Sequence, residues 1–331
     1  MGKMKAVIFE NYGSPEVLQL KEAEKPKPKK KEVLIRVHAA SVTATDTEIR
    51  INNSFLGRII LGIWKPRRMV RIPGIELSGE IELVGKNVRK FKIGDKVYAC
   101  TMLRFGAYAE YICLPEKSAM TFKPNKLNYE EAATVGDSGT TALFFLKTLG
   151  RIKKGDNILI IGASGGVGTY AVQLANHFEA EVDGVCSSTN IDLVKSLGAQ
   201  KVFDYTKEDF KKSGKLYDII FDTVGKSSFS DCKSVLKRNG RYLDTTTKVI
   251  KNYLFTLWTL ILSKLPFSNG KRYIFGASTE TLNGLIFLRK LIEDKKVKPI
   301  VDRIYPIEKI VEAHEYVERG HKKGGVAITI T

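Results

Sequence analysis

The spacing of hydrophobic positions changes period twice along the chain. Over roughly the first 120 residues, apolar and polar positions alternate in short runs, as at 4–9 and in V-L-I-R-V at 33–37, and this predicts strands. Pro26 and Pro28 break the link between those two. Between residues 73 and 97 the alternation is cut by Gly79, Gly85 and Gly94-Asp95, the marks of a hairpin-rich β domain. Residues 106–114, G-A-Y-A-E-Y-I-C-L, supply another strand. Helical and strand patterns then take turns. Residues 129–149 read as helix, with Asn128 in a capping position, Gly150 past the end and an interruption near Gly136-Asp137-Ser138-Gly139. A short helix is expected over Ile191–Leu197, closed by Gly198. Strands are expected at Lys201–Phe203, Ile219–Phe221, Tyr242–Leu243 and Tyr273–Phe275, with an apolar helix near Leu254–Leu262. The tail returns to the pattern of the first 120 residues, with a helix around Leu285–Glu293, a strand at Ile304–Tyr305, a helix at Ile307–Val317 and a last strand V-A-I-T-I-T. The middle alternation predicts a parallel sheet with helices on both faces, and the tail is expected to rejoin the N-terminal β domain.

The most informative stretch is 157–178. An apolar run, Ile158–Ile161, leads into Gly162, Gly165, Gly166 and Gly168. Val167, Tyr170, Ala171, Leu174, Ala175 and Phe178 then follow at helical spacing. Strand, glycine turn and helix start make a pyrophosphate site, because the first helical N–H groups are unpaired and glycines let phosphate oxygens approach. A glycine turn can also be simple punctuation. The next element separates the two readings. E-V-D-G-V-C at 181–186 reads as a second strand, where a dinucleotide fold places its ribose-reading residue. Its tip carries Ser187, Ser188, Thr189 and Asn190, with no carboxylate until Asp192. An acidic residue there takes the ribose 2′-hydroxyl of NAD, whereas hydroxyl and amide groups admit a 2′-phosphate, so the tip points to NADPH. The same residues suit a helix cap, and both uses are compatible.

Composition narrows the class. The 331 residues, 43% of them hydrophobic, suit two globular domains. No apolar run follows the first lysines, so no secretory signal is expected. No apolar stretch reaches the ~18 residues of a spanning helix, and Tyr253–Leu265, which includes Ser263 and Lys264, comes nearest. Four cysteines without C-x-x-C spacing argue for a reducing cytoplasm and against both a disulfide framework and a cysteine-rich zinc lobe. A net charge of +18 could steer an anionic ligand, nucleic acid or an acidic membrane. The lysines are spread along the chain, many in pairs such as Lys153-Lys154 and Lys211-Lys212, and no aromatic-interleaved basic motif is present. A solvated surface follows, and no specific nucleic-acid partner is expected.

Several motifs together resemble the medium-chain dehydrogenase/reductase superfamily, on its quinone-oxidoreductase side, nearly end to end. They are K-A-V-I-F-E at 5–10, G-I-E-L-S-G-E-I-E-L-V-G and G-D-K-V within 74–97, G-A-Y-A-E-Y at 106–111, G-A-S-G-G-V-G at 162–168, and L-G-A-Q-K-V-F-D-Y at 197–205. The resemblance implies an α/β fold: a GroES-like β domain, residues 1–125 and 278–331, split by a Rossmann doubly wound parallel-sheet domain, residues 126–277, with cofactor and substrate in the cleft between them. Zinc members of the superfamily use a Cys before a T-D pair, a His in G-H-E and a later Cys or Asp. The matching positions here are Thr43, Ile75 and Gly136, so no metal is expected. Without a Lewis acid, alcohol oxidation loses its electrophile, whereas a quinone or an α,β-unsaturated carbonyl accepts hydride directly at carbon.

The resemblance also implies site residues. Gly165, Gly166, Val167 and Gly168 would carry the pyrophosphate, Ser187 and Asn190 the 2′-phosphate, and Tyr205 would lie beside the adenosine phosphate. Thr140 and the backbone of Phe275, Gly276 and Ala277 would seat the nicotinamide. Lys322 or Lys323 would reach a cofactor phosphate or stand as solvated charges. Related quinone and enoyl reductases often carry a Tyr after an N-x-x-D stretch, but no Tyr occurs here between Tyr12 and Tyr98. Thr43, Asp46 and Thr47 are left as positioning candidates, Asp46 equally suiting a hydrogen bond to local backbone and nearby His38 a packed or surface role. A quinol oxygen can take its proton from water. The apolar stretches 55–64 and Tyr253–Trp258 suit a substrate pocket, core or an oligomer contact. The expectation is an NADPH-dependent, metal-independent reductase of a small-molecule electron acceptor, a quinone or α,β-unsaturated carbonyl. It would work as a homodimer joined through the edge of the cofactor-domain sheet. The alternatives are an enoyl-thioester reductase, a low-turnover NADPH-binding protein with an RNA-binding role, and a reductase reaching lipid quinones through the basic apolar stretch 55–72.

Overall fold

The computed structural model describes residues 2–245, 249–263, 269–276, 278 and 281–331. Alternating residues at the N-terminus form the antiparallel pair β1 (Lys3–Ile8) and β2 (Gln19–Glu24). Strand β3 (Glu32–Ser41) follows, then helices α1 (Ala44–Ile51) and α2 (Phe55–Leu61). Strands β4 (Glu76–Val84), β5 (Lys96–Cys100), β6 (Tyr111–Pro115) and β7 (Met120–Phe122) come next. Helix α3 (Tyr129–Ala133) starts on a reciprocal cap between Asn128 and Glu131. The break in the expected 129–149 helix falls at Thr134-Val135, just ahead of the glycines, and α4 (Gly136–Leu143) then runs into a π-helical turn, Phe144–Leu149.

Strand and helix now alternate: β8 (Asn157–Ile161), α5 (Gly166–His177), β9 (Glu181–Cys186), α6 (Ile191–Ser196), β10 (Lys201–Asp204), β11 (Tyr217–Asp222), α7 (Phe229–Cys232), β12 (Leu236–Asp244), α8 (Val249–Leu262) and β13 (Arg272–Phe275). The tail adds α9 (Thr281–Glu293), β14 (Val301–Pro306), α10 (Ile310–Glu318) and β15 (Gly325–Thr329).

By internal contacts the chain divides into two units: residues 1–138, 281–295 and 299–331, and residues 139–280 with 296–298. The expected boundary at 125/126 lies earlier than this division because α3 packs on β3 and β4, with Ala132 and Ala133 buried. In the first unit the sheet order is β14-β15-β3-β4-β5-β7, with β6 also on β3. Its core includes Val33, Ile35, Val37, Leu77, Val97 and Ile328. In the second unit all six strands are parallel, in the order β10-β9-β8-β11-β12-β13. Counted from its first strand this is 3-2-1-4-5-6, the order whose switch point lies between β8 and β11 and whose ligands sit at the carboxyl ends of the strands.

Helix α8 is turned inside out. Its two threonines face the sheet: Thr259 Oγ1 donates to Tyr273 O (3.1 Å) and accepts from Tyr273 N (3.2 Å), and Thr256 Oγ1 accepts from Phe275 N (3.1 Å). These hydroxyls satisfy the free edge of β13. The apolar residues Leu254, Leu257, Trp258 and Ile261 are exposed instead. This edge of the sheet is therefore covered by the chain's own side chains. Among the described residues no helix is long and apolar enough to cross a membrane.

A buried hydrogen bond, Tyr98 Oη to Leu285 O at 2.6 Å, helps hold the tail to the first unit. Replacing Tyr98 by Phe removes this bond and leaves Leu285 O with its helical partner alone. Urea unfolding of Tyr98→Phe should show a loss of about 1 kcal/mol, and an unchanged midpoint would refute this.

Candidate functional site

The carboxyl ends of β8 and β9 carry the first part of the site. Buried β8 ends at Gly162, which sits at φ +80°, and a Cβ there would lie 2.2 Å from Val224 Cγ2. At Gly168 a Cβ would meet the Gly162 carbonyl oxygen at 2.1 Å, so the helix packs backbone on backbone against the turn. Gly165 N donates to Gly162 O (3.0 Å) and is the N-cap of α5, with no side chain capping the helix. The first N–H groups of a twelve-residue helix therefore carry their partial positive charge without a side-chain cap, and the residues fit a pyrophosphate. Asp222, at the end of β11, fixes the facing loop. Its carboxylate accepts from Val224 N (2.9 Å), Gly225 N (2.8 Å), Ser227 N (3.2 Å) and Tyr242 Oη (2.8 Å). Sequence reasoning missed Asp222, although its position straight after an apolar strand run was a signal.

At the tip of β9 the structure brings three of the small polar residues together. Asn190 is buried, and its Nδ2 donates to Ser164 Oγ (3.1 Å) and Ser187 Oγ (3.2 Å). Asn190 therefore orients Ser187. Ser187 is half-buried, while Ser188, Thr189 and Tyr205 are exposed. The sequence expectation of no fixed negative charge at this tip needs correction. Asp204, at the end of β10, accepts hydrogen bonds from Ser188 Oγ and from Thr206 Oγ1 (2.7 Å). The Ser188 and Thr206 hydroxyls hold its carboxyl down at about 2, so it is ionised at neutral pH. It is largely covered, and Lys207 Nζ lies 3.6 Å away. Its sequence distance from the tip hid it.

Of the nicotinamide candidates, Thr140 is buried in α4 and Phe275 N is bonded to Thr256 Oγ1. A Cβ at Gly276 would meet Leu149 Cδ1 at 2.7 Å. Ala277 lies outside the described residues.

In the first unit, Thr43 and Asp46 form the start of α1. Thr43 N and Oγ1 donate to Asp46 Oδ2 (2.9 and 2.8 Å), and Asp46 N donates back to Thr43 Oγ1 (3.2 Å). Thr47 Oγ1 donates to Ala44 O at 2.8 Å. All three residues are buried, and Thr43 and Asp46 together cap the helix. His38 stacks on Tyr129 (4.3 Å) and meets the C-terminal Thr331.

Close by stand polar groups that the sequence did not single out. Buried Glu76 accepts from Ser41 Oγ and from Asp137 N (2.6 Å), and Thr45 Oγ1 donates to Asp137 Oδ2 (3.4 Å). Burial, then the Asp137 charge, pushes the Glu76 carboxyl up. Burial also raises Asp137, against the Thr45 hydrogen bond. It lifts Asp46 to about 7, against the bonds from Thr43. Half-buried Lys322 is lowered by burial, while Glu76, Asp137 and Asp302 pull the other way. Lys322 Nζ donates to Gly324 O (2.6 Å). Lys323 is exposed, with its backbone N–H on Asp302 (2.8 Å).

The residues here do not fit a zinc ion. Thr43 is engaged in the cap, Ile75 lies in the core, and Gly136 offers no side chain, its Cβ position being 3.0 Å from Glu76 Oε2. Among the described residues no three His, Cys, Asp or Glu side chains are grouped to hold a metal.

A 3-2-1-4-5-6 parallel sheet with a glycine turn after its first strand defines a dinucleotide-binding unit, and the chain adds a β unit to it. Residues 29–124 match the alcohol dehydrogenase GroES-like domain, and residues 197–328 match the zinc-binding dehydrogenase family. The chain is 34% identical over 273 residues to the chloroplast envelope quinone oxidoreductase homolog of Arabidopsis thaliana, an alignment covering 80% of this chain and 81% of that protein. It is 31% identical over 358 aligned positions to a mitochondrial NAD(P)H oxidoreductase of Bos taurus, covering 99% and 89%. The quinone oxidoreductase from Coxiella burnetii superimposes with a TM-score of 0.88 at 29% identity, covering 100% of both chains. The chain belongs to the quinone-oxidoreductase-like branch of the medium-chain dehydrogenase/reductase superfamily, and it is an oxidoreductase using a nicotinamide cofactor.

A carboxyl raised on folding stabilises the protein only in acid. For Asp46 that contribution is complete below its ordinary value of 3.8 and is lost as pH rises through about 7. Asp46→Asn keeps the cap and cannot ionise. Between pH 5 and pH 8 the wild type should therefore lose urea stability relative to the variant, and parallel pH profiles would contradict this.

Proposed function

We propose that the protein is an NADPH-dependent, metal-independent reductase of quinones or α,β-unsaturated carbonyls. The observation that carries this reading is the pairing of an uncapped helix start at Gly165–Gly168 with a hydroxyl-lined β9 tip. When bound, the reduced nicotinamide supplies a hydride to carbon. The uncapped N–H groups of α5 hold the pyrophosphate, and Gly162 and Gly168 keep side chains out of its path. Ser187, oriented by Asn190, donates to the 2′-phosphate, with exposed Tyr205 beside it. Asp204 opposes that phosphate electrostatically but is muted by Ser188, Thr206 and Lys207, so the preference for NADPH over NADH is moderate. The Thr43, Ile75 and Gly136 positions support the metal-independent part, because none carries a thiolate or imidazole. An acceptor that is already electron-poor needs no Lewis acid. Hydride goes to its carbon, the negative charge moves to oxygen, and water returns one proton. The four cysteines are free, in keeping with a reducing compartment such as the cytoplasm. A homodimer, if formed, uses a face other than the capped edge of β13.

Oxidation of NADPH and NADH should be followed against quinones, enals and enones, with and without a zinc chelator. Turnover of at least one class, faster with NADPH and indifferent to chelation, is expected; no turnover with any acceptor would sink the proposal. Ser187→Asp places a carboxylate against the 2′-phosphate. It should lower kcat/KM for NADPH about tenfold or more and leave NADH nearly unchanged.

A further inference from the structure

The segment from Ile59 to Arg71 presents an apolar knob to solvent. Ile59, Ile60, Ile63 and Met69 are exposed, and Trp64 is 86% exposed. Scattered exposed hydrophobics are ordinary, but five within eleven residues are not. The loop is also built rather than loose. Leu61 and Val70 anchor it in the core of the first unit. Gly62, at φ +128°, turns the chain so tightly that a Cβ there would meet Lys65 O at 2.1 Å.

Four of its backbone carbonyls have partners within the protein. Ile59 O accepts from Arg67 Nη2 (2.9 Å) and Leu61 O from Arg67 N (2.8 Å). Gly62 O accepts from Tyr12 Oη (3.0 Å) and Ile63 O from Arg58 Nη1 (3.0 Å). A loop with open carbonyls resists entry into a hydrocarbon layer, and these bonds lower that cost in advance. Arg58 is further held by its Nε on Asn52 O (3.1 Å) and by the Tyr12 ring beneath it.

The segment itself carries charge of one sign. From Ile49 to Ile75 there is no Asp or Glu, while Lys65, Arg67, Arg68 and Arg71 are exposed. We propose that this loop docks the protein on an anionic lipid surface, with Ile63, Trp64 and Met69 in the interfacial layer and Lys65, Arg68 and Arg71 on the headgroups. A second copy is the poorer occupant, because an acid-free patch would meet its own charge. Nucleic acid offers phosphates but no apolar layer for the knob. The outward face of α8, with Leu257, Trp258 and Ile261, lies in the other unit and likewise in an acid-free run, from Thr245 to Thr279. The inference goes beyond the reductase reading and does not depend on it.

The test is co-sedimentation with vesicles of phosphatidylglycerol mixed with phosphatidylcholine, beside phosphatidylcholine alone, at low and high salt. The chain has two tryptophans, so Trp258→Phe leaves Trp64 as the sole reporter. Binding to the anionic vesicles, a blue shift of Trp64 emission and weakening by salt are expected. Trp64→Ser should reduce partitioning about fivefold or more. The triple reversal of Lys65, Arg68 and Arg71 to Glu should remove the salt-sensitive part, and circular dichroism would verify that each variant is folded. Failure of the wild type to sediment with anionic vesicles would overturn the proposal, as would unchanged Trp64 emission or undiminished binding of Trp64→Ser. Retention on RNA without vesicle binding, or a lipid-free dimer that Trp64→Ser dissolves, would equally overturn it.

Discussion

The second unit rests on a contact made by missing side chains. The Gly162 carbonyl lies where a Cβ of residue 168 would be, so α5 meets the turn after β8 with backbone against backbone. The left-handed Gly162 makes the turn possible, and the crowding of Val224 over it shows how little room is left. This close approach fixes where the helix starts, and the helix start fixes where a phosphate can sit. Asp222 serves the same end from β11 by gathering three backbone N–H groups of the facing loop. The nucleotide site is thus held by main chain, and the side chains at the strand tips only tune it.

The first unit shows how the fold handles the loss of metal ligands. Glu76, next to the position that a zinc member gives to histidine, binds inward to Ser41 and to the backbone N–H of Asp137. Together with Asp46 and Asp137 it forms a set of carboxyls whose burial favours the protonated state. Lys322 is the nearby cation, and its own burial weakens it. Buried carboxyls held by hydrogen bonds thus occupy the region next to the Thr43, Ile75 and Gly136 positions.

Most of the architecture was legible because each unit announces its period. The alternation around Val33–Val37, the strand–glycine–helix run at 158–178 and the return to a strand at 325–329 are all where the pattern put them. The phosphate turn was legible for the same reason: chemistry and geometry sit in one contiguous stretch. What stayed hidden depends on residues that meet only after folding. Asp204 reaches the β9 tip from the next strand, and Glu76 finds Ser41 and Asp137 across the sheet. That Asn190 braces Ser187 from a buried position was hidden too, since the sequence cannot tell which way a small polar side chain turns. Thr43, Asp46 and Thr47 read as positioning candidates, with a local backbone bond the other reading of Asp46, and the bonds they make lie at the start of α1.

Helix α8 had the least readable surface, because hydropathy assigns polar residues to water and here two threonines point the other way. The consequence reaches beyond that helix. A parallel sheet normally stops growing because something bulky lies across its last strand or another strand joins it. In this chain the ladder is terminated by hydroxyl groups that imitate a seventh strand, donor for acceptor. The outer surface of that helix is thereby released from any duty to the interior, and its composition can drift toward whatever environment the protein meets without disturbing the sheet beneath.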